Sequence, residues 1–114
     1  MASPQVNDFV RVKKLVRALK GLFPVKWKFR MQSEEEATKI KVFVDSDWAG
    51  CRKTRRSTSG GLLLVGGHPL RTWSSTQPTI ATSSGEAELI SMAEGASRGL
   101  GMRSMMSELG CEPR

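Results

Sequence analysis

Residues 39–50, KIKVFVDSDWAG, decide how the rest of the chain is read. From Lys39 to Asp45 the residues read as a strand, with Ile40, Val42 and Val44 on one face. Asp45 closes this strand and opens the turn VDSDWAG. An acid in that position is well placed to project from a sheet into solvent.

Downstream, Asp47 to Ser57 is polar and basic and reads as a wide turn. Ser59 to Val65 reads as a strand, Gly66-Gly67 as a hairpin turn, and Leu70 to Ser75 as the returning strand. Gln77-Pro78 breaks it, and Thr79 to Thr82 extends again. Ser83 then starts a helix. Ser83 and Glu86 fit the S-x-x-E capping box, so the helix is expected from Ser84 to Leu109, with Gly110 as its stop and a break near Gly99 as an alternative. Leu89, Ala93, Ala96 and Leu100 form its expected core stripe, and Met102, Met106 and Leu109 continue the apolar side.

Upstream, Asn7 or Asp8 is expected to cap a helix running to about Lys20, with Gly21 as its stop. Phe9, Val12, Val16 and Leu19 recur at helical spacing, while Arg11, Lys13, Lys14, Arg17 and Lys20 crowd the remaining surface. Such a basic amphipathic helix suits phosphates, a membrane surface or ordinary docking of its apolar stripe. Val25 to Met31, VKWKFRM, alternates at period two and reads as a strand with a basic face. A short acidic loop, Gln32 to Ala37, connects it to the strand 39–45. The expected outcome is a hairpin between the two that turns Trp27 and Phe29 to the core.

The whole chain has 114 residues, enough for one small core, and a net charge of +7. The charge lies in blocks: net +7 over residues 1–31, −3 over 32–50, +5 over 51–75 and −2 over 76–114. Basic stretches that flank carboxylates suit a polyanion binder or a metal-dependent nuclease, and equally a plain solvated surface. Cys51 and Cys111 are too few for a disulfide framework and have no zinc-ligand spacing. The one histidine, His68, reads as an exposed turn residue, and no nucleophile elbow accompanies the serines, so serine-hydrolase chemistry is excluded. No apolar run is long enough to span a membrane, and a soluble intracellular protein is expected.

Carboxylates are the remaining chemical candidates. Asp45 ends a strand, and Glu88 lies in the second turn of the capped helix. A helix packed across the sheet can bring the two together. Their repulsion then favours a hard cation with oxygen ligands.

The run VFVDSDWAGCRKTRRSTSGGLLLVGG (residues 42–67), followed by TWSSTQPTIATSSGEAEL (72–89), resembles the RNase H domain at the end of the Pol polyprotein of copia-type retrotransposons. D-x-D-W-A-G, R-R-S-T-S-G, W-S-S, Q-P-T-I-A-x-S-S and E-A-E occur in order and closely spaced. RVKKLVRALKGL (11–22) also resembles the family's helix between reverse transcriptase and RNase H. The resemblance implies an α/β, RNase H-like mixed sheet, truncated after the first core helix, with an N-terminal amphipathic helix and an extra strand. Residues 1–38 become the connecting helix and strand, and 39–114 the N-terminal part of the RNase H-like domain. The implied activity is hydrolysis of the RNA strand of RNA/DNA hybrids during reverse transcription, with Mg²⁺ or Mn²⁺.

By this resemblance Asp45 and Glu88 are the catalytic, metal-holding acids, and Asp47 shapes the turn or assists the metal. Glu86 matches the motif too, but reads first as the capping partner. Arg52, Lys53, Arg55 and Arg56, with Ser57 and Thr58, are the expected contacts to the hybrid. The implied partners are the hybrid and the reverse transcriptase region of the same polyprotein, in cytoplasm, nucleus or a virus-like particle. One departure stands out: the family's third metal-binding Asp lies on a strand after this helix, and no Asp follows Asp47 here. The competing expectations are a catalytically inactive, basic nucleic-acid-binding remnant and a fragment with no function of its own.

Overall fold

The alternation that begins at Ile40 becomes the edge strand of a three-stranded sheet. In the computed structural model, which describes residues 5–22 and 26–113, the elements are α1 (Val6–Gly21), α2 (Glu34–Ala37), β1 (Ile40–Asp47), β2 (Thr58–Val65), β3 (His68–Thr76) and α3 (Ser84–Glu108). The sheet order is β1-β2-β3. Both pairings are antiparallel, with Asp45 opposite Gly60 and Gly60 opposite Ser74. The expected α/β class holds: the described residues form an antiparallel three-stranded meander followed by a helix.

α3 covers one face of this sheet. Ala87, Ser91, Gly95 and Met106 are its buried residues. They are mostly small, and that size sets the packing. A Cβ on Gly95 would run into Cγ1 of Val44, and one on Gly99 would lie 3.2 Å from Cγ2 of Val42. The stripe expected from apolarity is corrected, because Leu89, Ala93, Ala96 and Leu100 are all exposed. The helix approaches too closely for large side chains to stand between it and the strands. It also continues without a break through Gly99.

Leu63, at the centre of β2, is buried beside this seam. Gln77, 2% exposed, ties three elements: its Nε2 donates to Ser59 Oγ at 3.0 Å and to the Ala87 carbonyl at 2.8 Å. Buried amide groups are costly unless bonded in this way. Residues 79–82 form no strand.

The N-terminal third departs most from its sequence pattern. α1 is capped by Gln5, two or three residues before the expected caps Asn7 and Asp8, with the Asp8 carboxylate accepting from the Gln5 N–H at 3.1 Å. It buries no residue. Gly21 belongs to the helix, and Leu22 is its C-cap. Gln32 to Ala37 contains one helical turn, capped by Ser33.

The expected hairpin strand 25–31 is not formed. Val25 lies outside the described residues, residues 26–31 are irregular, and Trp27 and Phe29 are exposed. The reason is a competing attachment at the β2–β3 turn. Gly67 N–H donates to Gln32 Oε1 at 2.7 Å, His68 Nε2 lies 2.9 Å from the Arg30 carbonyl, and the Phe29 and His68 rings stand 5.0 Å apart. Gly66, at φ 60°, presents its bare Cα to the Gln32 side chain, where a Cβ would collide. These contacts leave the outer edge of β1 unpaired by any strand among the described residues. His68 is correspondingly half-buried at the start of β3, not a free turn residue. No helix of the described residues is long and apolar enough to cross a membrane.

Candidate functional site

The site expected from the sequence lies where β1 runs out under α3. Along β1, exposure alternates with position: Val42 and Val44 face α3, while Lys41, Phe43, Asp45 and Asp47 emerge on the opposite face. Asp45 and Asp47 therefore share one exposed face of the sheet.

α3 reaches the same strand end through Ser91. Its buried hydroxyl donates to the Asp45 carbonyl at 2.7 Å. Glu88 stands one turn earlier on α3 and is exposed. The fold thus brings the turn carrying Glu88 to the backbone of Asp45, while the Asp45 side chain leaves on the other side of the strand. Among the described residues, no three His, Cys, Asp or Glu side chains come together as a group that could hold a metal ion. The oxygen donors suit Mg²⁺ or Mn²⁺ in kind. Asp45 and Glu88 supply two such donors, one from β1 and one from α3.

Glu86 is engaged at the helix start. Ser83 Oγ accepts from the Glu86 N–H at 3.1 Å. The Glu86 carboxylate reaches Thr82 instead of closing the expected box on Ser83, accepting from its N–H at 2.6 Å and its hydroxyl at 2.7 Å. These bonds hold its carboxyl below the usual carboxylate range.

The β1–β2 loop carries Arg52, Lys53, Arg55 and Arg56, all exposed. Its shape is fixed locally. Arg55, at φ 58°, donates its N–H to the Cys51 carbonyl at 2.7 Å, and Cys51 donates to the Arg56 carbonyl at 3.2 Å. The Thr54 hydroxyl hydrogen-bonds the Cys51 thiol and lowers its pKa, with Lys53 adding to the effect. Trp48 braces the loop from its own end, donating Nε1–H to the Ala81 carbonyl at 3.1 Å.

Ser57 is corrected as a hybrid contact. It is 0% exposed, and its hydroxyl accepts from the Ala49 N–H at 3.0 Å. It is an internal brace of the loop. Thr58, half-buried, opens β2 opposite Asp47 and Thr76.

One polar cluster escaped the sequence reading. Arg98 bonds Glu94 Oε1 at 2.6 Å through Nη2, and Ser75 Oγ lies 2.9 Å from both Glu94 oxygens. The Arg98 guanidinium also sits 4.7 Å over the Trp73 ring, which itself packs where a Gly61 side chain would be. The Arg98 bond holds the Glu94 carboxyl below its ordinary range, against the opposing effect of burial. The i,i+4 spacing of Glu94 and Arg98 was the available signal.

Comparison with known proteins places the chain. It is 35% identical over 71 residues to the retrovirus-related Pol polyprotein from transposon RE1 of Arabidopsis thaliana, covering 62% of the chain. It is 34% identical over 73 residues, 64% of the chain, to the polyprotein from transposon RE2 of the same plant. These two relatives are Pol polyproteins of transposons. An uncharacterized mitochondrial protein of Arabidopsis thaliana is 36% identical over 95 residues, 82% of this chain. The chain spans 38% of that relative's length and 5% of each Pol polyprotein. No family model and no solved structure matches it.

Proposed function

We propose that this chain is an RNase H-type segment of a copia-like retrotransposon Pol, belonging to a domain that hydrolyses the RNA strand of RNA/DNA hybrids with Mg²⁺ or Mn²⁺. The observation that carries this reading is the Ser91–Asp45 bond, which joins the helix turn of Glu88 to β1, and the similarity to two transposon Pol polyproteins supports it. In it, Asp45 and Glu88 are the active-site acids, with Asp47 in an assisting or turn-shaping role. Arg52, Lys53, Arg55 and Arg56 contact hybrid phosphates. Such contacts position a duplex without reading its sequence.

The test is Mg²⁺ or Mn²⁺ added to the purified chain with a labelled hybrid. The expected result is metal-dependent cleavage of the RNA strand, lost in Asp45→Asn and in Glu88→Gln with the circular dichroism unchanged. Cleavage that survives both substitutions would sink this assignment of the acids.

A second reading rests on the lack of a three-acid group among the described residues. In that reading the chain binds hybrids through its basic loop and does not cut them. Affinity then falls steeply with salt, roughly tenfold or more between 50 and 200 mM for several phosphate contacts. Arg55→Glu with Arg56→Glu weakens binding without altering base preference. Hybrid binding without any cleavage selects this reading over the first.

A further inference from the structure

The arm at residues 26–32 is tied to the sheet by contacts that use none of its charges. The Phe29 ring stands 5.0 Å from the His68 ring, the Arg30 carbonyl lies 2.9 Å from His68 Nε2, and Gln32 Oε1 accepts from the Gly67 N–H at 2.7 Å. Lys26, Lys28 and Arg30 stay exposed, and none of them forms a salt bridge among the described residues. The acids that follow the arm are engaged elsewhere, with Glu36 2.9 Å and Glu35 3.8 Å from Lys39 Nζ. Three cations are thus held at the β2–β3 turn with their charge unspent.

A second basic group stands at the other end of the same strand. The β1–β2 loop, with Arg52, Lys53, Arg55 and Arg56, enters β2 at Thr58, and the β2–β3 turn leaves it at Val65. These four cations also form no salt bridge among the described residues. Seven steps of about 3.3 Å along β2 put roughly 23 Å between its two ends.

We propose that the arm 26–32 is a second phosphate-binding site, and that it and the β1–β2 loop grip one nucleic-acid duplex at two points. The proposal rests on the reading that the loop contacts hybrid phosphates. A duplex suits the spacing, because at about 3.4 Å per base pair it covers the distance in roughly seven base pairs and carries phosphates all along it. It is also stiff on this scale. Two sites held apart by a hydrogen-bonded sheet therefore engage it together, and the second contact becomes intramolecular once the first is made. Gln32 and His68 act by holding the arm in place, so that less ordering is left to do on binding. Neither end reads base edges, so no sequence preference is expected.

The test is binding of a labelled hybrid of about 14 base pairs, long enough to pass both ends at about 3.4 Å per pair. It is run in EDTA, so that no RNA is cut, across a salt series, with amide shifts followed on the same titration. The amides of residues 26–32 and 52–56 should shift together. Lys26→Ala with Lys28→Ala and Arg30→Ala should weaken binding roughly tenfold at 50 mM salt. The salt slope should fall by about one unit per cation removed. Gln32→Ala with His68→Ala keeps every cation of the arm, and should still weaken binding several-fold with the circular dichroism unchanged.

The failures are distinguishable. If Arg55→Glu with Arg56→Glu weakens binding while the arm variant binds like the unmodified chain, the arm site is overturned and the loop reading stands. Shifts confined to the arm overturn the loop reading and the two-point grip with it, and a chain that binds no hybrid overturns both. If releasing the arm through Gln32 and His68 changes nothing, the arm is a loose charged segment and the fixed site is overturned. Arm-dependent binding to phosphatidylserine vesicles, with none to the hybrid, overturns the proposal in favour of a lipid surface.

Discussion

The two long helices of this protein invert the usual expectation. α1 has the cleaner apolar stripe, with Phe9, Val12, Val16 and Leu19 at helical spacing, and it buries none of them. α3 leaves its large apolar residues Leu89, Met92 and Leu100 in solvent, yet it is the helix that docks. The difference lies in size. Ala87, Ser91 and Gly95 let the α3 backbone approach Val42 and Val44, and Ser91 and Gln77 supply directed bonds across the seam. Close packing gains dispersion contacts that a loosely matched stripe of large residues cannot make. The packing fixes β1 and α3 relative to each other and so positions the backbones that carry Asp45 and Glu88, although the Asp45 side chain leaves on the opposite face of the sheet.

The largest effect should come from breaking that seam. Gly95→Val puts side-chain atoms where Val44 Cγ1 already stands. Overpacking of this kind costs roughly 3 kcal/mol at the upper end of its usual range, and it should displace α3 from β1. Gly101 lies on the same helix but faces open space, with nothing within 4 Å of the position a Cβ would take. Gly101→Ala should stabilise by about 0.5–1 kcal/mol through helix propensity alone. Urea denaturation of the two variants measures the contrast. Equal effects would show that the seam is not tight.

A smaller effect concerns acid. Arg98 holds the Glu94 carboxyl below its ordinary range, so the folded chain binds that proton less readily than the unfolded one. The stability from this pair is fully present above the unfolded glutamate value, about 4.3. It is lost as pH falls through the lower folded value. Glu94→Gln should therefore flatten the stability profile below about pH 4.3 and lower stability at neutral pH. Denaturation midpoints at a series of pH values, in both proteins, check the sign. A slope unchanged by the substitution would show that Glu94 does not carry the effect.

Much of this arrangement was legible in the sequence, and its failures share a cause. The strands expected at 39–45, 59–65 and 70–75 from alternation and from Gly66-Gly67 formed at 40–47, 58–65 and 68–76, with β1 running on to Asp47, and α3 followed from Ser83 and its capping signal. The placement of Asp45 in β1 and Glu88 in α3 follows from the same patterns. Alternation also assigned a face to residues 26–31, but it names no neighbour. The Gln32 and Arg30 contacts to the β2–β3 turn decide where that segment goes. The buried face of α3 was misread because apolarity was weighed and volume was not. Ser57 was misread because a hydroxyl beside four basic residues looks like a phosphate ligand, while its actual partner, the Ala49 N–H, depends on a left-handed turn at Ala49, φ 53°.

The smallest expected effect is the sharpest check on the comparison. If α1 contributes nothing to the sheet and α3, substitutions on its stripe should not be felt there. Val16→Ala removes a β-branched residue from an exposed helical position, where Ala has the higher helix propensity by roughly 0.5 kcal/mol. Helical content should hold or rise slightly. The unfolding midpoint of the sheet, followed through Trp73 and Trp48, should move by less than about 0.5 kcal/mol, the usual range for surface changes. A buried valine would behave differently. Truncation in a packed site loses both transfer energy and contacts, and costs about 1–3 kcal/mol or more. A loss of that size at Val16 would mean that the α1 stripe is packed in solution, and that the contrast between the two helices is one of partner availability, not of side-chain size.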